Sequence, residues 1–409
     1  MIPRFKPFLG GAELLALFRS SPNAVAAFEG EFAEPFHVRQ AIAFAYGRSA
    51  LWALFKALDM KDADVIMPAY TCVVVAHATV LSGNVPRFVE IGLTDYTMDL
   101  DRMAAAITPR TGAIVATHLF GYPQNVDRLD SLVREAEARF GHKIPVIHDC
   151  AHSFGAQWQG HAVQRRGTAA LFGLGISKTI TAIFGGMLTT DDAALAERLR
   201  SWRDCHMAQP GLVKSLQRRL YLMAVYAAFW EPAYGLVQWI ESHTPLLDRL
   251  TKAYHLDGEI HFPPDFQDRM LAVEAAVGRV QLKKYPLIVQ RRREHARYYA
   301  EQLGDTPGLE LPPLVEGATY SHYPVRVPER APLIAALRKS GIELGQLIDY
   351  SVPHMPEYQS YAVGEEFPHS LLCSQRMVNL PVSASLSDRR REHVAAAVKK
   401  AATGLWGRK

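Results

Sequence analysis

The segment PVIHDCAHSFGA, residues 145–156, and the segment ALFGLGISKTITAIFGGMLTT, residues 170–190, decide the fold of this chain. Each segment contains a short apolar run of the length of one buried strand, and polar or glycine residues follow each run. Such runs are typical of strands that are buried on both faces of a parallel sheet. Asp149 and Lys178 follow the two runs, so we expect both near strand ends, where open α/β sheets bind ligands.

The same alternation of apolar runs and helical stretches extends outward over residues 41–204. Two helical stretches, Ser49–Leu58 and Val126–Phe140, carry apolar residues at helical spacing. Six apolar runs are predicted to be strands: Asp64–Met67, Val85–Val89, Gly112–Thr117, Ile144–His148, Ala169–Leu174 and Gly186–Thr189. The pattern predicts an α/β domain with a mainly parallel sheet built from βαβ units.

Changes of pattern along the chain predict four parts. They are an N-terminal segment at 1–40, a large domain at 41–204, an apolar helical insert at 205–262 and a C-terminal part at 263–409. The C-terminal part begins with a long helix, Met270–Leu303, which is predicted to break or bend near Pro286. It continues as a smaller α/β domain.

The composition excludes several classes of protein. With 49% apolar and 21% charged residues in 409, the chain has the composition of an ordered globular protein. The formal charge of +4 is small and the arginine runs lie in predicted helices, so no nucleic-acid partner is expected. The four cysteines are widely spaced and suit neither zinc nor a disulfide framework, so we expect no metal site. The N-terminus lacks the pattern of a secretory signal, and the cytoplasm is the expected compartment.

Two local features suit the phosphate and the ring of a cofactor. Gly47–Leu51 is a glycine turn that opens a helix, where backbone N–H groups and the helix dipole favour an anion. Many helices begin this way without binding phosphate, so the turn alone is a weak signal. Tyr70 follows the first predicted strand. An aromatic ring at this position can lie against a planar ligand, and it can equally well cover the hydrophobic core.

Asp149 and Lys178 are the residues that carry chemistry. A lone acid after a strand often caps a turn, and a lone lysine is usually a surface residue. Pyridoxal-phosphate (PLP) chemistry, however, needs an ionised carboxylate beside the ring nitrogen, because a protonated pyridine is the electron sink. It also needs a lysine that loses its proton and forms a Schiff base, which burial and a nearby cation favour. The two residues meet these two requirements.

Seven stretches together resemble the DegT/DnrJ/EryC1/StrS aminotransferase family. They are GRSALWALFKALD at 47–59, VIMPAYTCVVVAHA at 65–78, the segment 86–123, PVIHDCAHSFGA at 145–156, SKTITAIFGGMLTT at 177–190, the segment 266–299 that includes most of the long helix, and VNLPVSASLS at 378–387. The resemblance covers nearly the whole chain except residues 1–40 and 205–262. It implies a PLP enzyme of fold type I that forms a homodimer with active sites at the subunit interface. Such enzymes commonly move an amino group from glutamate to a keto-sugar nucleotide.

The resemblance also implies roles for individual residues. Lys178 falls at the Schiff-base lysine, Asp149 at the partner of the ring nitrogen, and His152 at a position that packs near the ring. The other positions that it assigns to the cofactor are Arg48, Ser49, Ala50, Tyr70, Cys72, Ser177 and Gln267. Arg269 and His354 are predicted to bind substrate, and the loop that carries Gln267 and Arg269 is predicted to reach the partner subunit's site.

Four positions depart from the family pattern. Arg48 replaces a threonine of the phosphate turn, Gly173 a phosphate-binding serine, Cys72 an aromatic residue that stacks on the ring, and Phe184 an acidic residue. Arg48 is expected to replace the lost phosphate contacts, because a guanidinium binds phosphate through two hydrogen bonds. The residue that stacks on the ring is left open between Tyr70 and His152.

The acceptor, the class of function and the purpose of the insert also stay open. A sugar dehydratase of the same family would lack the lysine that this chain keeps, and a non-catalytic PLP-binding regulator is the third alternative. The insert mixes Lys214, Arg218 and Arg219 with large apolar side chains, which suits a helix lying on the inner membrane surface near a lipid-linked acceptor. Packing against protein, at the dimer interface or over the active site, is the other explanation.

Overall fold

A computed structural model describes residues 1–229 and 258–407 of the chain. Twelve α-helices lie in the described part: α1 Gly11–Ala16, α2 Ala24–Ala33, α3 Gly47–Ala57, α4 Val73–Leu81, α5 Leu100–Ala106, α6 Val126–Phe140, α7 Ala193–His206, α8 Leu212–Ala228, α9 Ala272–Leu303, α10 Arg330–Lys339, α11 Pro368–Arg376 and α12 Asp388–Trp406. The strands are β1 Gln40–Phe44, β2 Asp64–Pro68, β3 Val85–Val89, β4 Thr111–Thr117, β5 Val146–Asp149, β6 Gln157–Trp158, β7 His161–Ala162, β8 Ala169–Gly173, β9 Gly186–Thr190, β10 Tyr323–Arg326 and β11 Met377–Leu380.

The large domain is built on one seven-stranded sheet in the order β1-β9-β8-β5-β4-β2-β3. The strands from β3 to β8 in this order pair in parallel, whereas β9 runs antiparallel to both of its neighbours. Helices cover both faces, so the central strands are buried throughout, as the continuous apolar runs predict. The prediction of a mainly parallel α/β sheet is confirmed, although strand β1 was not predicted.

Local sequence signals set the ends of α6, the helix that precedes β5. The side chain of Asn125 accepts a hydrogen bond from the N–H of Arg128 at the first turn. The helix ends at Gly141, which adopts the left-handed conformation with φ of 76°. One face of the helix packs on the sheet through four buried residues: Val126, Leu129, Val133 and Ala136.

The N-terminal segment is part of the core of the large domain. Phe32 of α2 lies edge-on to Phe172 of β8, with ring centroids 5.1 Å apart. Phe28 packs directly on α9, since a β-carbon added at Gly278 would stand 2.5 Å from its ring. The first forty residues therefore cover one face of the sheet and hold the long helix against it.

Helix α9 runs without interruption through Pro286, contrary to the predicted break. Proline removes one helical hydrogen bond, but Pro286 lies on the exposed side, while Leu282, Ile288 and Val289 are buried on either side of it. Packing of both halves against the core keeps the helix continuous. Beyond it, the strand pair β10-β11 and helices α10 and α12 form the smaller C-terminal domain.

Helix α8, the described beginning of the insert, turns its basic side chains towards the protein. Lys214 and Arg218 bind Asp265, and Arg219 donates to the carbonyl of Leu17. The outward side of the helix carries exposed apolar residues: Leu212, Val213, Leu216 and Leu220. The cations of α8 are therefore not available for anionic lipid, and α8 offers a membrane only an apolar contact. Residues 230–257 of the insert lie outside the described part of the chain. No helix in the described ranges is both long and apolar enough to cross a bilayer.

Candidate active site

The carboxyl ends of the parallel strands bring Asp149 and Lys178 together. Asp149 ends β5, and Gly173 ends the neighbouring β8. The side chain of Lys178 folds back over Gly173, so that a β-carbon added at Gly173 would stand 3.2 Å from Cε of Lys178. The same β-carbon would stand 3.5 Å from Cβ of Ala151, two residues after Asp149. The glycine therefore leaves the space through which the lysine reaches the sheet edge.

Asp149 is a buried carboxylate, and its polar neighbours include the N–H of Ala151 and the side chain of Thr117. Its Oδ1 accepts the N–H of Ala151 at 3.0 Å, and Thr117 is its partner in the pairing of β4 with β5. Burial raises the pKa of Asp149, while the N–H of Ala151, the charge of Lys178 and the hydroxyl of Thr117 oppose the rise. A cation placed against this carboxylate would oppose the rise in its pKa and favour its ionised form.

Lys178 lies in surroundings that favour its neutral form. Burial lowers the pKa of the ammonium group, and the positive charge of Arg48 lowers it as well. Cys72 and Asp149 act in the opposite direction. A lysine with a lowered pKa has a larger neutral fraction, and the neutral amine is the form that attacks a carbonyl carbon.

His152 lies near enough to Lys178 for the charge of the lysine to lower the pKa of the imidazole. The ring is nearly parallel to that of Phe120, with an angle of 21° and centroids 6.3 Å apart. It also lies 5.2 Å from the ring of His322, which enters from the C-terminal domain next to β10. Burial lowers the pKa of both histidines well below the ordinary value, which favours their neutral forms. Neither Phe120 nor His322 was predicted from the sequence to be a site residue. A single aromatic residue or histidine, without a second residue at a characteristic spacing, does not indicate a site.

Tyr70 is not placed to stack on a cofactor ring. It is fully buried, and its hydroxyl donates to the carbonyl of Ile348 at 2.9 Å, which joins the two domains. A side chain with no accessible surface cannot contact a ligand, so the alternative reading of Tyr70 as a core residue is correct. Cys72 is partly exposed at the start of α4, near enough to Lys178 to raise the pKa of the lysine. Of the two proposed stacking residues, only His152 faces the site.

The phosphate turn packs against the end of β8. A β-carbon added at Gly47 would stand 3.5 Å from Cα of Gly173. Arg48 is half-buried, and its guanidinium carbon lies 5.7 Å from the centre of the Tyr46 ring. Ser49 is buried and its hydroxyl donates to the carbonyl of Phe266, while the N–H of buried Ala50 binds the carbonyl of Tyr46.

The hydroxyl of Ser49 and the N–H of Ala50 therefore both donate hydrogen bonds within the protein, and neither is left to donate to a ligand. What they contribute to the predicted phosphate site is the first turn of α3, whose dipole favours an anion. Arg48 is the residue of the turn whose charge reaches Lys178. Ser177, the neighbour of Lys178, is exposed.

The remaining predicted positions lie at the edge of the site. The guanidinium of Arg269 donates to the main-chain carbonyls of Asp204 and Met207, at the end of α7, so the structure gives it a structural role in place of the predicted substrate contact. The side chain of Gln267 is exposed, as a contact with a second subunit requires. His354 is exposed on the turn that begins at Val352. The N–H of Val352 donates to the carbonyl of Ala69 at 3.0 Å, so this turn lies beside the end of β2.

These residues fit PLP. The buried Asp149 accepts a hydrogen bond from the N–H of Ala151 and has further acceptor positions, which suits the protonated ring nitrogen. Nδ1 of buried His152 has no hydrogen-bond partner among the described residues, as expected beside a ligand site. Arg48 and the start of α3 suit the phosphate group, and Lys178 reaches the space between these groups.

Comparisons with known proteins agree with this site. The model of the DegT/DnrJ/EryC1/StrS aminotransferase family matches residues 17–399. The aminotransferase TlmJ from Streptoalloteichus hindustanus is 25% identical, with a TM-score of 0.77 over 99% of this chain and all of TlmJ. The sugar aminotransferase CalS13 from Micromonospora echinospora is 21% identical, with the same TM-score over 98% of this chain and all of CalS13. An uncharacterized protein of Methanocaldococcus jannaschii is 24% identical over 98% of this chain and 97% of its own length. The chain belongs to the DegT/DnrJ/EryC1/StrS aminotransferase family and is a PLP-dependent aminotransferase of fold type I.

Proposed function

We propose that the protein moves an amino group from glutamate to the keto group of a sugar nucleotide or of a related, lipid-linked acceptor. The donor and the acceptor are those that the family resemblance implies. The observation that carries the proposal is the position of Lys178, which reaches over Gly173 to the carboxyl edge of the sheet beside Asp149. A dehydratase of this family would not keep this lysine.

The residues of the site divide the tasks of this reaction among them. The bound cofactor supplies an electron sink for the negative charge that develops on the substrate carbon. Lys178 holds the cofactor through Nζ, and its free amine later moves the proton at the substrate carbon. Asp149 would keep the proton on the ring nitrogen, His152 would contact the ring, and Arg48 would bind the phosphate.

Substitution of Lys178 tests this assignment. Lys178→Ala should remove the absorption band of lysine-bound PLP and abolish turnover, while far-UV circular dichroism stays that of the wild type. Lys339→Ala, at an exposed lysine at the end of α10, is the matched control and should retain both. Multiple turnovers by the Lys178→Ala protein would show that another residue holds the cofactor.

A half-reaction separates the aminotransferase from the non-catalytic alternative. Glutamate alone should bleach the band of the wild-type protein, and 2-oxoglutarate should restore it. A protein that only binds PLP would show a band that neither compound changes. Mass spectrometry of mixtures with keto-sugar nucleotides and lipid-linked keto sugars then identifies the acceptor, and transfer to neither class would refute this part of the proposal.

We also propose a homodimer in which Gln267 reaches the site of the partner subunit. The exposed position of its side chain supports this arrangement. Light scattering should give twice the mass of the 45.5 kDa chain. Mixed dimers of one Lys178→Ala chain and one Gln267→Ala chain should regain one of their two sites if Gln267 acts across the interface, and should regain neither site if it acts within its own chain.

A further inference from the structure

Strands β4 and β5 place Thr117 directly beside Asp149. The two residues are partners in the parallel pairing, at the last position of both strands. The main chain at this point is held by a hydrogen bond from the N–H of His118 to the carbonyl of Asp149, at 3.1 Å. The hydroxyl of Thr117 therefore meets the carboxylate through the register of the sheet.

A second threonine, Thr71, contacts the hydroxyl of Thr117. Oγ1 of Thr71, in the turn after β2, lies 3.2 Å from Oγ1 of Thr117. Thr71 is fully buried, and Thr117 and Asp149 are each 4% exposed. Water therefore does not compete for these three polar groups, which increases the strength of the hydrogen bonds between them.

The chemistry of the three groups sets the direction of the hydrogen bonds. An ionised carboxylate only accepts hydrogen bonds, so Thr117, its register partner, can bond to Asp149 only by donating its single hydroxyl hydrogen. The oxygen of Thr117 is then the acceptor for the hydroxyl of Thr71. This direction requires that Asp149 is ionised, because a protonated Asp149 would be able to donate.

We propose that Thr117 is a positioning residue that holds Asp149 ionised and aimed at the cofactor ring nitrogen, and that Thr71 orients the Thr117 hydroxyl. The Ala151 N–H and the Thr117 hydroxyl fill two acceptor positions of the carboxylate and leave the others to the ring N–H. The inference rests on the proposed role of Asp149 and adds to it the two residues that maintain its charge state.

Cofactor affinity, measured by equilibrium titration of the apoenzyme, tests the proposal without a turnover assay. Thr117→Val keeps the shape of the side chain and removes the donor, so it should weaken PLP binding about tenfold or more. Thr117→Ser should bind PLP as the wild type does, and Thr71→Val should have a smaller effect than Thr117→Val. Thr189→Val is the matched control and should change nothing, because the buried hydroxyl of Thr189 has no partner among the described residues.

A cofactor analogue with carbon in place of the ring nitrogen isolates the contact. For this analogue, the affinities of the wild type and Thr117→Val should be equal, because no ring N–H meets Asp149. An equal loss for PLP and the analogue would overturn the proposal and make Thr117 a packing residue. Wild-type protein that binds both compounds equally tightly would instead show that Asp149 is not the nitrogen partner, and so would refute the proposed role of Asp149 itself.

Discussion

Replacement of Arg218 by methionine tests whether α8 is fastened to the large domain by buried charge. Nε of Arg218 lies 3.0 Å from Oε1 of Glu274, whose side chain is 2% exposed, and Nη2 lies 2.9 Å from the hydroxyl of Tyr46. The guanidinium carbon lies 4.0 Å from the centre of the Phe184 ring. Removal of one partner from a buried ion pair costs about 3–5 kcal/mol, because the other charge stays buried. We expect a loss of this size in the free energy of unfolding.

The loss should depend on pH, because Glu274 can take up a proton. Burial raises the pKa of Glu274 from 4.5 to about 7, while Arg218 lowers it. A carboxyl with a raised pKa binds more protons in the folded state, so its contribution to stability is present below pH 4.5 and is lost as the pH rises through the folded pKa. Without Arg218 this pKa is higher still, and the decline continues above pH 7. The difference between variant and wild type should therefore be smaller at pH 6 than at pH 9.

Urea unfolding followed by tryptophan fluorescence at the two pH values measures this difference. The double variant Arg218→Met, Glu274→Gln is the matched control, since it removes both charges and keeps an acceptor for the N–H of Leu271. It should recover most of the stability at pH 9. The same loss at both pH values, or a double variant as unstable as the single one, would refute the argument from buried charge.

Three further predictions concern the site and the insert. Asp149→Asn should keep PLP bound but lower kcat by about two orders of magnitude or more, since the electron sink loses its charged partner; near wild-type kcat would move the role to another acid. Arg48→Ala should weaken PLP affinity by about 1.5–3 kcal/mol, and an unchanged Kd would assign Arg48 to substrate or structure. In liposome flotation, the fraction of bound protein should be the same on anionic and neutral vesicles at low salt, because Lys214 and Arg218 are in ion pairs within the chain and Arg219 donates to the carbonyl of Leu17. Stronger binding to anionic vesicles would contradict these contacts.

The apolar runs of the sequence were sufficient to predict the parallel strands and the chemistry at their ends. Strand formation depends on a few adjacent residues, and the polar residue that follows a buried strand necessarily lies at the sheet edge. Asp149 and Lys178 could be placed for that reason. Strand β1 was missed because its five residues pair only with β9, about 150 positions later in the chain.

Only the tertiary structure decided what the other polar and aromatic side chains contact. Tyr70 and His152 both follow strands, yet the C-terminal domain buries the first and leaves the second facing Lys178. The basic residues of α8 suggested lipid, whereas the fold brings Asp265 and Glu274 against them. Local sequence sets backbone conformation and the direction of each side chain, but the partner of a side chain depends on which distant segment the packed core brings beside it.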